Sequence, residues 1–329
     1  MLKVCRPVTT AFVAVMVIGL IASCDRMETP VDVALNAPIP EFATQQGNDF
    51  LITHGNITMK LKPMLGGRVA SLKHQSHELL VPESKSDYML WGSVLWSSPQ
   101  ADWGWPPVAV LDSQPYQVTI EPDELVFTSA VDPKTGYQFE RRFAVVPGKE
   151  ALRLGYRIYN RSDVEKAVAP WEVTRVPPAG ITFFPKGEGV IESGIFYPLT
   201  VETINGIVWY PYDLKKLQND HHKLLSDGSE GWLAHTHNGY LFIKQFEDVT
   251  PDRIATNEAE IELFANAEKT YIELEQQGEI VTLQTNEYLD WEVIWHIKKL
   301  PAGLAASVGS EELVNYVREL VDGVTITQD

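Results

Sequence analysis

The sequence contains very little cysteine: two residues in 329, Cys5 and Cys24. Both lie before residue 25, so the rest of the chain has no thiol. This excludes disulfide bonds, a cysteine nucleophile and thiolate metal ligands from that part of the protein. The sequence also lacks a phosphate-binding glycine loop and the Gly-x-Ser-x-Gly motif of serine hydrolases. We expect no cofactor.

Positive charge is also scarce, with 27 Lys and Arg residues against 44 Asp and Glu residues and a formal net charge of −17 at pH 7. An acidic surface repels nucleic-acid phosphates and anionic lipid headgroups. We therefore expect no nucleic-acid partner and no polybasic docking to membranes. The hydrophobic fraction of 44%, including 10% aromatic residues, is sufficient for a large buried core.

One hydrophobic run lies close to the amino terminus. Residues 11–22 carry no charged or polar side chain and follow the positive charges of Lys3 and Arg6. A membrane-spanning helix needs about 20 apolar residues, whereas the core of a signal peptide is shorter. We predict that residues 1–23 are an export signal. The alternative is an uncleaved membrane anchor.

The run ends in Leu-Ile-Ala-Ser-Cys at residues 20–24. This ending resembles the bacterial lipobox, in which an aliphatic residue and two small residues precede a cysteine that becomes acylated. The resemblance implies a lipoprotein whose Cys24 carries fatty acyl chains such as palmitate. It would be anchored in the cell envelope, facing the periplasm or the exterior, because several acyl chains hold a protein stably at a membrane. Asp25 resembles the retention signal of the inner membrane in enteric-type bacteria.

The segment 24–48 is polar, contains three prolines and shows neither helical nor strand periodicity. These features predict a lipidated tether. From residue 49 onward, short segments alternate between apolar and polar side chains, as in residues 152–158, and turn signals separate them. Many short strands predict an all-β antiparallel sandwich or barrel over residues 49–305.

Helical periodicity is convincing only near the carboxyl terminus. Ser310 can cap a helix whose apolar residues share one face, and Gly323 can end it. We expect this helix, part of a terminal segment 306–329, to pack on the sandwich.

Several segments, in order, resemble galactose mutarotase-like (aldose 1-epimerase-like) domains. Residues 65–72 read Leu-Gly-Gly-Arg-Val-Ala-Ser-Leu, like the opening strand of those domains, and residues 154–162 resemble their central strand. Residues 271–277 read Tyr-Ile-Glu-Leu-Glu-Gln-Gln, like the segment with their general base, and residues 291–295 resemble the closing strand. The resemblance spans about residues 50–300. It implies a large β-supersandwich with a cleft for a carbohydrate ligand.

In that family, a histidine protonates the ring oxygen of an aldose while a glutamate removes the anomeric proton. The resemblance assigns the base to Glu275. The histidine is missing, since residues 169–175 read Ala-Pro-Trp-Glu-Val-Thr-Arg. Glu172 with a raised pKa, or His235, is the candidate acid. The alternative is a non-catalytic glycan- or protein-binding envelope module.

Each carboxylate also has a structural interpretation. Glu172 can form an ion pair with Arg175 or Arg161. Carboxylates with perturbed pKa values often have such a structural role. Glu273 and Glu275 share one face of a predicted strand and can belong to a solvated surface.

Tryptophan is concentrated between residues 88 and 107, where four of the nine tryptophans lie within fifteen positions. Indole faces attract the C–H bonds of a pyranose, so this loop is a candidate sugar platform. The alternative is a loop that seals one end of the sandwich. The predicted substrate-binding residues are Trp91, Trp103, Trp105, Trp171, Arg175 and Glu273.

His235 and His237 precede an Asn-Gly turn and share one strand face. Such a pair can chelate zinc, but the sequence identifies no third ligand. We therefore predict a hairpin end without a metal.

Overall fold

The structure is a computed structural model that describes residues 33–35, 37–83 and 89–326. The predicted export signal and Cys24 lie outside the described residues, so export and lipidation stay predictions. Among the described residues, no helix is both long and apolar enough to cross a membrane.

Strands are the main regular secondary structure of the described chain. In chain order they are β1 Val33–Leu35, β2 Ala43–Gln46, β3 Asp49–His54, β4 Ile57–Lys62, β5 Arg68–His74, β6 His77–Glu78, β7 Ser93–Ser98, β8 Gln117–Ile120, β9 Leu125–Thr128, β10 Tyr137–Val145, β11 Ala151–Asn160, β12 Lys166–Val176, β13 Ile181–Pro185, β14 Tyr197–Pro198, β15 Glu202–Ile204, β16 Ile207–Pro211, β17 His222–Ser226, β18 Trp232–His237, β19 Tyr240–Gln245, β20 Ile261–Ala265, β21 Ile272–Gln277, β22 Val281–Leu283 and β23 Tyr288–Lys299. The helices are α1 Ala109–Asp112 and α2 Glu311–Asp322, with short 3-10 segments at Pro63–Leu65, Gln100–Asp102, Leu214–Lys216 and Pro251–Arg253.

The strands form two large sheets. One has eleven strands in the order β1-β8-β9-β10-β11-β23-β19-β18-β13-β16-β15. The other has twelve, in the order β14-β17-β20-β21-β12-β7-β5-β4-β3-β2, with β22 beside β12 and β6 beside β5. Pairing is antiparallel throughout the described ladders except for β1 with β8 and β14 with β17. The predicted all-β sandwich with a short carboxyl-terminal helix is confirmed.

The main core lies between the two sheets, and strand alternation decides which side chains enter it. In β11, Leu152, Leu154 and Tyr156 are buried in this core, while Arg153 and Arg157 of the alternate face are only partly buried. Side chains of a strand point alternately to opposite faces, so each sheet has an inner face toward its partner and an outer face.

Helix α2 covers part of the outer face of the eleven-stranded sheet. Leu313 and Val317 pack in one apolar cluster with Trp209 and Trp232. The helix begins as predicted, because the Ser310 hydroxyl accepts a hydrogen bond of 3.2 Å from the amide of Leu313. The expectation that this helix packs on the sandwich is confirmed.

The predicted tether is shorter than expected. Its last residues form β2, which pairs antiparallel with β3 across a turn at residues 47–48. Three of the four β2 side chains are exposed, so this edge strand lacks the apolar alternation by which strands are recognised. Residues 33–35 also pair with β8.

Candidate functional site

The orientation of β12 determines which side chains reach the outer face of the twelve-stranded sheet. Glu172 contacts Tyr156, Lys244 and Trp295, which all belong to the opposite sheet. Glu172 therefore points inward. Its neighbours in the strand, such as Trp171, point to the outer face.

Strand register then places further side chains beside these residues. Trp171 pairs with Trp96 of β7 on one side and with Gln277 of β21 on the other. Arg175 pairs with Glu273, and directly paired residues lie on the same face. Applied to β20 and β17, the same alternation completes a set that we call the outer-face site: Trp96, Trp171, Arg175, Lys223, Glu262, Glu273, Glu275 and Gln277.

Aromatic rings gather around Trp96 at one side of this site. The centroid of its ring lies 5.4 Å from that of Trp171, 5.7 Å from Trp103 and 6.2 Å from Trp105, each in edge contact. Trp103 is buried and donates from Nε1 to the carbonyl oxygen of Ser97 at 2.8 Å. Trp105 is 50% exposed. The tryptophan-rich loop therefore meets the candidate sheet face, with Trp105 at its rim.

Ion pairs lie next to these rings. Arg175 Nη2 is 2.7 Å from Glu273 Oε1, and the guanidinium stacks over Trp96 with its Cζ 5.3 Å from the ring centroid. Lys223 Nζ pairs with Glu262, lies 3.4 Å from Glu275 Oε2 and 5.3 Å from the Trp171 centroid. Five charged groups thus share a low-dielectric surface lined by indole rings.

Burial and charge shift the proton equilibria of this cluster. Burial raises the pKa of Glu275 to about 8, with Lys223 opposing the shift and Glu262 and Glu273 adding to it. Burial also raises the pKa of Glu262. Burial lowers the pKa of Lys223, but the carboxylates of Glu262 and Glu275 outweigh it, so the net shift is upward. Glu275 can therefore exchange a proton near neutral pH.

Several polar atoms of the site lack a hydrogen-bond partner among the described residues. They are Glu275 Oε1, Gln277 Oε1, Arg175 Nε and Nη1, and Trp171 Nε1. The corresponding side chains are at most 2% exposed. Leaving a buried donor or acceptor unpaired costs about 1–3 kcal/mol, which a ligand rich in hydroxyl groups can recover.

The structure does not bring Glu172 and Glu275 together. They belong to adjacent strands but project from opposite faces, since Val173 is the residue paired with Glu275. Glu172 is fully buried between the sheets. The two-carboxylate hypothesis therefore lacks its geometry, and Glu172 has a structural role. Its ionic partner is Lys244 rather than the expected Arg175 or Arg161.

His235 also lies away from the outer-face site. Its strand neighbour in register is Phe242, a residue of the core between the sheets, and its Nδ1 is 2.9 Å from Thr182 Oγ1. Burial lowers the pKa of His235 to about 3, so the ring is neutral at pH 7 and is not a general acid there. His235 and His237 line one small cavity, and the described residues contain no cluster of three or more metal-ligating side chains.

Trp91 is the remaining predicted sugar contact, and it packs against the guanidinium of Arg68, whose Cζ is 4.8 Å from its ring. It takes no part in the ring contacts around Trp96 described above. Arg68 is in turn paired with Asp112 at 3.0 Å. Trp91 therefore packs on the Arg68 guanidinium and is not a member of the tryptophan cluster around Trp96.

Sequence reasoning missed Lys223, Glu262 and Gln277 as site residues, and it placed Trp96 in the candidate sugar platform without naming it as a substrate-binding residue. A signal for Glu262 does exist, because it interrupts the apolar run Ile-Glu-Leu-Phe-Ala of β20, just as Glu273 interrupts β21. A charged residue in an otherwise buried strand indicates a specific partner. That partner, Lys223, lies 39 positions earlier, and only strand pairing reveals it.

A second concavity of about 690 Å³ lies on the eleven-stranded sheet, lined by Arg142, Arg153 and Arg157 among others. These arginines are already paired with Glu124, Glu292 and Asp290. Trp291 Nε1 of this concavity also lacks a hydrogen-bond partner, but the outer-face site combines five such atoms with the tryptophan cluster around Trp96, so it is the better candidate.

The chain belongs to the family described as a domain of unknown function, DUF4380, whose model matches residues 50–298. No curated protein matched the chain in sequence.

Solved structures show the same fold at low identity. A putative aldose 1-epimerase from Escherichia coli K12 is 12% identical, with a TM-score of 0.51 over 76% of this chain and 98% of that one. A galactose mutarotase-like protein from Lactobacillus casei is 12% identical, with a TM-score of 0.52 over 75% and 99% of the two chains.

A TPR-domain containing protein from Parabacteroides distasonis is 14% identical, with a TM-score of 0.55 over 79% of this chain. The chain covers 49% of that protein, about half its length. These likenesses establish a galactose mutarotase-like β-sandwich fold. At such identity they carry no assignment of activity.

Proposed function

We propose that this protein binds a carbohydrate at the outer-face site. One observation carries the proposal. The tryptophan cluster lies on the same sheet face as buried polar groups that lack a hydrogen-bond partner and can bind hydroxyls. Indole rings pack against the C–H faces of a pyranose, while carboxylate, amide and guanidinium groups bind its hydroxyls. The fold neighbours titled as aldose 1-epimerase and mutarotase-like proteins support a sugar ligand.

Titration of the full-length chain with a panel that includes D-glucose and D-galactose, followed by tryptophan fluorescence and calorimetry, tests this proposal. Trp105→Ala removes the exposed ring at the rim, and we expect binding to weaken about tenfold, or 1.4 kcal/mol. Tyr288→Ala is the matched control, because Tyr288 is similarly exposed (48%) but lies on the other sheet. Equal affinity of both variants for the sugar, or no binding of any sugar in the panel, contradicts the proposal.

Aldose 1-epimerase-type turnover is the second candidate function, favoured by the raised pKa of Glu275 beside the ammonium of Lys223. Glu275 would accept the proton of the anomeric hydroxyl, and Lys223 would transfer a proton to the ring oxygen in place of the missing histidine. The bond between the anomeric carbon and the ring oxygen would break as the carbonyl of the open-chain sugar forms. Polarimetry of anomer interconversion measures this step. Turnover should rise with pH through about 8 as Glu275 loses its proton.

Glu275→Gln should abolish that turnover while leaving most of the sugar affinity, since the amide still binds hydroxyls. If the wild-type protein does not accelerate interconversion of any common aldose, the turnover proposal fails. The carbohydrate-binding proposal is independent of that outcome.

We infer the location of this function from the amino-terminal sequence. The export signal at residues 1–23 and the lipobox at residues 20–24 support a lipoprotein held at a membrane through Cys24. Asp25 favours the inner membrane. Cell fractionation of Cys24→Ser should move the protein to the soluble fraction, and Asp25→Ser should move it to the outer membrane. Unchanged membrane retention of Cys24→Ser would refute lipid anchoring.

A further inference from the structure

One hydrogen bond joins the two segments that flank one end of the outer-face site. The backbone N–H of Gln100 donates to Glu258 Oε1 at 2.8 Å. Gln100 lies two residues after the end of β7, and Glu258 lies three residues before the start of β20. Strands β12 and β21 lie between β7 and β20 in the sheet, and they carry Trp171, Arg175 and Glu275.

The distance across these strands requires the two segments to converge beside the sheet. Neighbouring strands are about 4.8 Å apart, so β7 and β20 are separated by about 14 Å. The backbone N–H of Ala259 donates to Glu262 Oε1 at 3.0 Å, and Gln277 Nε2 donates to the same oxygen at 2.8 Å. The segment bearing Glu258 is thus attached to the site itself.

The segment that contains Gln100 is also attached to the site. Trp103 follows Gln100 closely and packs edge-on against Trp96, as does Trp105. Residues 99–105, which we call the strap, therefore join the tryptophan cluster to the acidic side of the site through Gln100.

The site is closed in this conformation. Arg175 is 0% exposed, Glu275 1% and Trp171 2%. A sugar cannot reach the unpaired atoms of these side chains unless covering groups move. Gln100 and Glu258 are only half-buried, so water can replace their hydrogen bond when the segments separate.

We propose that the Gln100–Glu258 hydrogen bond is a latch, and that opening of the strap controls ligand entry to the outer-face site. This inference rests on the proposed carbohydrate binding. A hydrogen bond to a charged group favours the closed state by about tenfold to a hundredfold, which leaves a minor open population able to admit a ligand. Closure over the bound sugar would exclude water from the ion pairs around Glu275.

A cross-link tests the latch. The native cysteines lie at positions 5 and 24, so Gln100→Cys/Glu258→Cys adds the only thiols beyond residue 25. A short bis-maleimide bridges them in the full-length chain, and the two single variants treated identically are controls for reaction of one introduced thiol with the native Cys5 and Cys24. Near-ultraviolet circular dichroism verifies that all forms are folded.

Two readouts separate the latch from the proposed function. The first is the association rate of D-glucose or D-galactose by stopped-flow tryptophan fluorescence. The bridged protein should bind at least tenfold more slowly than the unbridged double variant, and Glu258→Ala should bind about tenfold faster than wild type. Equal rates in bridged and unbridged protein overturn the latch and leave carbohydrate binding intact.

The second readout needs no sugar. Acrylamide quenching of tryptophan fluorescence reports access to rings such as Trp96 and Trp171. Quenching should be lower in the bridged protein and higher in Glu258→Ala than in wild type. If no form binds a sugar, the proposed function fails, while equal quenching of bridged and unbridged protein overturns the latch by itself.

Discussion

Lys244 Nζ lies 2.9 Å from Glu172 Oε1, and both side chains are fully buried between the sheets. Glu172 also accepts hydrogen bonds from Gln276 Nε2 at 2.8 Å and from the Tyr156 hydroxyl. Lys244 donates to the carbonyl oxygen of Leu274 at 2.8 Å. Burial lowers the pKa of Lys244, although Glu172 opposes that shift. The ion pair therefore joins the twelve-stranded sheet, which contains Glu172, to the eleven-stranded sheet, which contains Lys244.

Removing one member of this pair should be costly. Lys244→Met leaves Glu172 as an uncompensated buried charge, and we predict a loss of about 3–5 kcal/mol in the free energy of unfolding. The double variant Glu172→Gln/Lys244→Met should recover part of this loss, because no charge remains buried. Urea denaturation of the three proteins measures both effects.

The matched control is Lys60→Met, which breaks a 2.8 Å ion pair with Asp49 on a partly exposed surface. Surface pairs contribute about 0–1 kcal/mol. A cost for Lys244→Met as small as that of the control would show that the buried pair does not stabilise the fold.

The separation of Glu172 from Glu275 shows where sequence reasoning ends. Alternation within β12 and β21 divides the side chains of each strand between two faces. It does not tell which face of β12 lies on the same side of the sheet as which face of β21. That match depends on the pairing of Val173 with Glu275, and a shift of one residue would have put both carboxylates on the same face. The all-β class and helix α2 needed only local patterns, and these could be predicted.

Acid should destabilise the protein through His235. Its folded-state pKa is about 3, lowered by burial from an unfolded value near 6.5. The unfolded chain therefore binds the proton first as the pH falls below 6.5. The stabilisation is complete above pH 6.5 and is lost progressively as the pH falls toward 3, by about 1.4 kcal/mol per pH unit.

Comparison of wild type with His235→Gln isolates this effect. The variant does not titrate, so its deficit in unfolding free energy should shrink as the pH falls from 7 to 4.5. Denaturation midpoints in urea across this range provide the measurement. A deficit that is independent of pH would mean that His235 is accessible to protons in the folded state.

Glu260 should show the opposite dependence. Burial raises its folded pKa to about 8, although the amides of Val249 and Gly228 donate to its carboxyl oxygens. The folded state keeps this proton between pH 4.5 and 8 while the unfolded state loses it. Stability from this group is complete below about pH 4.5 and declines as the pH rises to 8.

The unfolding free energy of Glu260→Gln should therefore increase relative to that of wild type as the pH rises from 5 to 8 in the same urea experiments. Constant relative stability over that range would argue against a protonated Glu260. Since the predicted slopes for His235 and Glu260 have opposite signs, a general effect of pH on the unfolded chain cannot produce both.

The packing of α2 can be tested with two leucines of the same helix. Leu313 is fully buried against the sheet, whereas Leu320 is only partly buried. Leu313→Ala should cost about 2–5 kcal/mol because it leaves a cavity under the helix. Leu320→Ala should cost less, because solvent already reaches that side chain. Equal costs in urea denaturation would mean that α2 does not seal the outer face as described.

Gly92 precedes β7 and supports the site residue Arg175. Its backbone conformation excludes a residue with a side chain at this position. Its φ is +63°, and a Cβ atom there would lie 2.2 Å from the carbonyl oxygen of Val69. The Gly92 carbonyl also accepts a 2.9 Å hydrogen bond from the amide of Arg175. Gly92→Ala should therefore cost at least about 2 kcal/mol and displace Arg175.

Gly104 in the strap provides the comparison, since its φ is +74° but no atom lies within 4 Å of an added Cβ. Gly104→Ala carries only the left-handed penalty of about 1–2 kcal/mol. Thermal denaturation gives the two costs, and sugar titration should show that Gly92→Ala loses the larger share of affinity because Arg175 moves. If Gly92→Ala and Gly104→Ala have equal costs, the backbone of Val69 can move to accommodate the added Cβ atom. Gly92 would then not hold Arg175 in a fixed position.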